Sequence, residues 1–265
     1  MFAIIKGSGD LASGIALRLR HAGFHIAMTE IAAPLSVRRT VCFSRAVYEG
    51  FAQVEDVSAE LVDSEAGMRN AFSLERIAVF VDPEGTVIQK YKPDFLIDAI
   101  MAKRNTGTSK KDAPVVIAVG PGFTAGVDCH AIIETKRGHT LGRVLTEGTA
   151  LPNTGIPGSI DGYTVERLLR STADGIFEPK ASIGDRVEKG ETVAIIRDAA
   201  GESALKAEIA GILRGLLPPG IEVKRGMKAG DVDPRAVREH CFTVSDKALA
   251  IGGGVLEALL RFRPK

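Results

Sequence analysis

Residues 175–190, GIFEPKASIGDRVEKG, and residues 211–226, GILRGLLPPGIEVKRG, align without a gap. Gly175/Gly211, Ile176/Ile212, Gly184/Gly220, Val187/Val223 and Gly190/Gly226 each stand 36 residues apart. A strand, a glycine turn and a second short strand are thus written twice. Neither copy has a second layer on which to bury its apolar face, so the two must pack on each other. The expected product is a small β sandwich with pseudo-two-fold symmetry.

The first half of the chain has a different texture. It opens MFAIIKGSGDLASGIALRLRHAGFHIAMTE. Met1 to Lys6 reads as an apolar strand and Asp10 to Ala22 as a helix carrying Leu11, Ile15, Leu17 and Leu19, closed by Gly23. Phe24 to Thr29 reads as a second strand, and a strand–helix–strand unit implies parallel pairing. ERIAVFVDPEG (75–85) predicts a buried strand stopped at Asp82-Pro83, and PDFLIDAIMAKRN (93–105) a helix with proline near its start and basic residues at its end. TGTSKKDA is a polar loop and PVVIAVGPGF (114–123) a buried strand ending in a glycine turn. This alternation suits a doubly wound sheet. After Gly126, short β-like pieces sit between frequent glycines, with YTVERLLRS a brief helix. A last helix, SDKALAIGGGVLEALLRF, is capped by Ser245 and interrupted at Gly252–Gly254.

The repeat resembles the biotinyl/lipoyl-like barrel-sandwich fold, whose halves carry a turn like GDRVEKG here. In carrier domains of that fold a lysine at the hairpin tip takes the prosthetic group. The tip here, Arg197–Ser203, has no lysine, and Lys206 falls in the following strand, so the resemblance implies a structural or ligand-binding module. The expected fold class is α/β: an N-terminal Rossmann-like parallel sheet followed by a mostly β barrel-sandwich module and a C-terminal helix. The expected division is a Rossmann-like domain over 1–125, a connecting β/loop segment over 126–171, the barrel-sandwich hybrid over 172–235 and a C-terminal helical segment over 236–265.

Charge and composition narrow the function classes. Lys and Arg number 34 against 33 Asp and Glu, a net charge of +1, which does not call for a nucleic-acid or anionic membrane partner. Aromatics are 5% with no Trp, too few for base-stacking platforms. No apolar run reaches the roughly 20 residues of a spanning helix, and the start lacks a signal-peptide pattern. Cys42, Cys129 and Cys241 are odd in number and widely spaced, so buried, inert thiols in a reducing, cytoplasmic setting are expected, with no disulfides and no metal site.

Four motifs bear on chemistry. In GSGDLA, Gly7 and Gly9 with Ala12 satisfy G-x-G-x-x-G/A between a strand and a helix, with Ser8 and Asp10 between them. Phosphate would sit on the helix N-terminus and Glu30 would bond a ribose hydroxyl. Arg38 and Arg39 offer cations for a phosphate, whereas Asp10 places a negative charge beside it; nucleotide binding and a vestigial scaffold both remain open. IETKRGHTLGRV places Glu134, Arg137, His139 and Arg143 on turns, either a proton donor with an anion clamp or a solvated loop. LPNTGIPGSIDG presents Asn153 and Thr154 on an irregular loop. KAGDVDPR places Asp231 and Asp233 two apart, as cation ligands or as partners of Arg235. No GxSxG, HExxH or Walker A motif is present.

GSGDLASGIA, PLSVRR, DAIMAKRN, GPGFTAGVDCHAIIETKRGHTLGRV, NTGIPG, LRGLL, DVDPR and SDKALAIGGGVLEA together resemble the YqeB family, over nearly the whole chain. That resemblance implies an accessory role in maturation of a selenium-dependent molybdenum hydroxylase, with a molybdopterin-type cofactor and the hydroxylase itself as partners. It marks Gly7, Gly9, Asp10, Arg38, Arg39, Lys103, Arg104, Asn105, Glu134, Arg137, Gly138, His139, Asn153, Thr154, Asp231, Asp233 and Arg235, and none of the cysteines. The alternatives are an NAD(P)-dependent oxidoreductase, with Glu30 or Arg38 selecting the cofactor, and a non-catalytic scaffold docking on the apo-hydroxylase. No catalytic constellation is visible.

Overall fold

A computed structural model describes residues 1–155, 158–199 and 201–263. The chain forms two compact units. One comprises Met1–Pro34, Cys42–Thr154 and Val244–Lys265, the other Leu35–Val41 and Gly155–Thr243.

The first unit begins with β1 (Phe2–Lys6), α1 (Asp10–His21) and β2 (His25–Glu30), the strand–helix–strand unit expected at the N-terminus. Then follow α2 (Ala46–Glu49), β3 (Phe51–Val54), β4 (Val57–Leu61), α3 (Glu65–Ser73), β5 (Ile77–Val81), α4 (Thr86–Tyr91), β6 (Phe95–Asp98), β7 (Val115–Val119), β8 (Ala131–Ile133) and β9 (Val144–Leu145). The closing helix α5 (Asp246–Phe262) returns to the same unit. The strands form one nine-stranded sheet in the order β3-β4-β5-β2-β1-β6-β7-β8-β9. Pairing is parallel from β4 to β8 and antiparallel at both edges. Strands covered on both faces read as unbroken apolar runs; β7, VVIAV, is buried at every position.

PDFLIDAIMAKRN is where local pattern misleads. Its proline and basic end suggested a helix, yet FLID is a fully buried strand held between β1 and β7. The place that a crossover helix would fill beside α1 is taken by α5, which packs on α1, β7, β8 and β9. Its three glycines do not interrupt it; two of them let it come close to its neighbours. A Cβ on Gly252 would lie 2.8 Å from Arg18 Cγ and 2.9 Å from the Gly14 carbonyl oxygen, and one on Gly254 would collide with the Gly142 carbonyl. No helix among the described residues is long and apolar enough to cross a membrane.

The second unit contains β10 (Leu168–Arg170), β11 (Gly175–Pro179), β12 (Arg186–Val187), β13 (Thr192–Asp198), β14 (Gly201–Lys206), β15 (Gly211–Leu216), β16 (Glu222–Val223) and β17 (Lys228–Asp233). They make two four-stranded sheets, β10-β17-β15-β12 and β14-β13-β11-β16. The 36-residue repeat is visible as an exchange between its halves. Gly175 pairs with Val223 and Gly211 with Val187. The Gly184 N–H donates to Leu213 O and the Gly220 N–H to Phe177 O, at 2.8 and 2.9 Å. Each glycine turn is therefore tied into the other copy, and Phe177, Val187, Leu213 and Val223 meet in one core. The tip at Arg197–Ser203 includes Ala200, which lies outside the described residues.

The expected Rossmann-like parallel sheet followed by a barrel-sandwich and a separate C-terminal helix is overturned. The sheet is mixed and runs on to Leu145, its β6–β7 and β7–β8 connections carry no helix, and the C-terminal helix is part of the sheet's own unit. The β module does not stand alone over 172–235 either. It recruits β10 and the distant residues 35–41, where Val37 O accepts the Leu216 N–H at 2.8 Å.

Candidate functional site

The parallel strands of the first unit point their carboxyl ends to one edge. Strand β1 leads through α1 to β2 on one side, whereas β6, its other neighbour, leads to β7 on the opposite side. Such a reversal opens a crevice between the two departing chains, where ligands of open α/β sheets settle. Three groups of residues lie along this edge.

The glycine turn after β1 is the first. Gly7 adopts φ +89°, and its N–H donates to Thr29 O at 2.9 Å. Ser8 is fully buried, and both its N–H and its Oγ donate to Glu30 Oε2, at 3.0 and 2.8 Å. Glu30 Oε1 accepts the Ile31 N–H at 2.9 Å. The amides of Gly7 and Ser8, expected to face a phosphate, are thus bonded to the protein's own atoms. Both oxygens of the acid expected on a ribose hydroxyl are engaged by neighbouring backbone. Gly9 caps α1, with its carbonyl accepting the Ser13 N–H; Asp10 opens the helix and Ala12 is buried.

The second group crosses β6. Asp98 is buried beside Lys6, its register partner, with Lys6 Nζ 3.4 Å from Asp98 Oδ2. Thr108 Oγ1 accepts from Lys6 Nζ at 2.7 Å and donates to Asp98 Oδ2 at 2.5 Å. The segment from Ala99 to Thr108 joins these residues and carries Lys103 and Arg104 exposed. Asn105 closes its end, accepting from the Gly107 and Thr108 N–H groups and donating to Thr108 O.

The third group lies at β8 and the start of α5. Glu134 is buried, accepting from the Thr135, Lys136 and Leu151 N–H groups at 2.7–2.9 Å. Arg137 forms a two-pronged pair with Asp246, at 2.7 and 2.9 Å. Lys247 follows in the first turn of α5. Burial lowers its pKa, and the Arg137 charge adds to that, while Asp10, Glu134 and Asp246 oppose it.

The remaining expected residues have other duties. Arg38 and Arg39 belong to the second unit, so the glycine turn and these arginines do not share one unit. There Arg38 Nη2 donates to the His240 and Thr243 carbonyls at 3.2 Å, and Arg39 Nε to Leu216 O at 2.8 Å. His139 sits exposed on the turn between β8 and β9. Asn153 and Thr154 are exposed on a loop whose Ile156 and Pro157 lie outside the described residues. Asp231 and Asp233 are committed to guanidinium groups. Asp231 lies 3.6 Å from Arg167 Nη1, and Asp233 accepts Arg235 Nε and Nη2 at 2.9 and 2.6 Å. Burial pushes the Asp233 pKa up, but the Arg235 hydrogen bonds outweigh it and hold the carboxyl below the usual range.

Lys6, Asp98 and Thr108 were not singled out from the sequence. Their one signal is a charged residue at the end of each of two apolar runs, FAIIK and FLID.

No family model matches the chain. It is 49% identical over 257 residues to the Uncharacterized protein YqeB of Escherichia coli (strain K12), a match covering 97% of this chain and 47% of that protein. The chain therefore spans about half the length of the curated relative it matches, and the match supports the YqeB resemblance of its motifs. Among solved structures, an aspartoacylase family protein from Mesorhizobium loti is 11% identical, with 87% of this chain and 83% of that one covered and a TM-score of 0.30. A succinylglutamate desuccinylase/aspartoacylase from Rhodobacter sphaeroides is 14% identical, with coverages of 87% and 84% and a TM-score of 0.30. Scores this low assign neither a fold nor a chemistry.

Proposed function

We propose that this chain is an accessory protein for maturation of a selenium-dependent molybdenum hydroxylase, and that it binds a molybdopterin or related nucleotide-containing cofactor at the carboxyl edge of its nine-stranded sheet. The observation that carries the binding site is the reversal between β1 and β6, with the exposed basic pair Lys103-Arg104 on the segment that leaves β6. The hydroxylase part rests on the resemblance of the motifs to the YqeB family. A phosphorylated pterin needs cations and a polar crevice, and Lys103, Arg104 and Lys247 supply cations on this edge, in place of Arg38 and Arg39. The dinucleotide alternative loses support because Glu30 spends both oxygens on backbone N–H groups and Ser8 Oγ.

The test is to purify the full chain from a molybdenum-replete host, oxidise the denatured extract and measure pterin fluorescence. Pterin above that of an unrelated protein from the same host, and less of it on a Lys103→Ala/Arg104→Ala variant, is the expected result. No pterin above that control overturns the reading.

A further inference from the structure

Asp98 pins the segment that follows it at both ends. Its Oδ1 accepts the Ile100 N–H at 3.3 Å, and its Oδ2 accepts the Thr108 hydroxyl at 2.5 Å. Residues 99–108 therefore form a compact loop strapped across the crevice. The strap lies on the glycine turns to either side. A Cβ on Gly7 would stand 3.2 Å from Ala99 O and Ile100 Cα, and one on Gly122 would stand 2.6 Å from Arg104 Cα and N. The room those glycines leave is filled by the strap. Met101 and Lys103 are held at φ 64° and 63°, a region L side chains rarely adopt. A short loop carrying two such residues and fastened through one carboxylate is suited to local release.

The fastening has a definite pattern of donors and acceptors. Asp98 receives two donors, an N–H and an O–H, one on each oxygen, while Lys6 Nζ gives one hydrogen bond to the Thr108 oxygen. When the strap lifts, these three bonds are vacated together, at a buried lysine–carboxylate pair that keeps its place at the ends of β1 and β6. A buried pair stripped of such partners is costly, so a ligand that restores all three is favoured.

We propose that the Lys6–Asp98 pair recognises the 2-amino-4-oxo edge shared by pterin and guanine rings, and that Thr108 and the Ile100 amide hold its place while the strap is closed. The ring N–H and the amino group of that edge take the two Asp98 oxygens, and the neighbouring carbonyl accepts from Lys6, one bond for each bond given up. The inference deepens the cofactor reading above and rests on it: it names the ring edge that is read and the gate in front of it.

Thr108→Val removes the latch and keeps the side-chain shape. Hydrogen exchange on the full chain shows the Gly107 and Thr108 amides of this variant exchanging about tenfold faster, while the β1 and β7 amides stay protected and the unfolding midpoint falls modestly, as the two hydrogen bonds lost at a buried pair require. Titration with 6-carboxypterin, GDP and ADP then reads the edge. Because the closed strap taxes affinity by the fraction of open molecules, the variant binds 6-carboxypterin, GDP or both about tenfold more tightly than the wild type, and ADP no better. Tighter 6-carboxypterin alone assigns the site to a free pterin, and tighter GDP alone to a guanine nucleotide. Asp98→Asn, combined with Thr108→Val, abolishes the gain. Unchanged strap exchange overturns the latch; faster exchange without tighter binding, or an equal gain for ADP, overturns the ring-edge assignment. Pterin that copurifies with wild type while Thr108→Val changes nothing refutes this inference and leaves the cofactor reading standing; the reverse separates the two in the other direction.

Discussion

Replacing Gly14 with alanine tests the contact between α1 and α5 that sets the helical layer. The new Cβ would stand 2.6 Å from Ala248 Cβ and 3.0 Å from Val244 Cγ1, well inside van der Waals contact. Overpacking of this kind costs about 1–3 kcal/mol. Alanine in a helix interior recovers about 1 kcal/mol over glycine, so the expected net loss is about 1 kcal/mol. Ala248→Gly makes the opposite change. It loses about 1 kcal/mol of helix propensity and about 1 kcal/mol for the buried methyl. In the double variant the propensity terms cancel and the 2.6 Å clash is gone, but the new methyl still meets Val244 Cγ1 at 3.0 Å and the Ala248 carbonyl carbon at 3.1 Å, so about 1 kcal/mol of the loss remains. The single changes sum to about 3 kcal/mol and the double to about 1 kcal/mol, a coupling of about 2 kcal/mol. Guanidinium unfolding followed by far-ultraviolet circular dichroism supplies the four midpoints, and hydrogen exchange of the α1 and α5 amides locates the loss. Additivity within about 0.5 kcal/mol would refute the close approach of the two helices.

Two further outcomes follow from titratable groups. The His130 ring accepts the Val116 N–H on Nδ1 at 3.0 Å, and burial, with Lys110 nearby, lowers its pKa below the usual 6.5. A depressed folded pKa means that the unfolded chain takes up the proton first, so this contribution is present above about pH 6.5 and is lost as pH falls through that value. Unfolding midpoints at about pH 7.5 and 5.5 check it, and a His130→Asn chain with an undiminished difference between them would refute it. Burial raises the Cys129 thiol to about 12 and raises Cys241 as well, and all three cysteines are buried thiols outside any disulfide. A thiol reagent at about pH 8 is therefore expected to leave the native chain unlabelled and to label it fully in guanidinium; fast labelling of Cys129 in the native chain contradicts the burial.

Local pattern was enough to read β1, α1, β2, β5 and β7, because each has an apolar run or stripe of the right length bounded by a glycine or a proline. It was also enough to read the 36-residue repeat, in which the pairs Gly184/Gly220 and Gly190/Gly226 all take positive φ. It failed at FLID, where a proline before and basic residues after imitate helix ends. Only the sheet, with partners on both sides, makes that run a strand. It failed likewise at Gly252–Gly254, where glycine reads as a break until a second helix is found against it.

The candidate site divides the same way. GSGDLA was legible as a turn between strand and helix, but whether its amides were open or already bonded depended on Glu30, 22 residues from Ser8, and on Thr29 O. Sequence by itself determined the elements whose periodicity is local and the copies that match at one offset. Tertiary structure alone decided that Lys6, Asp98 and Thr108 meet, because hydrogen bonds between residues up to 102 positions apart leave no periodic trace along the chain.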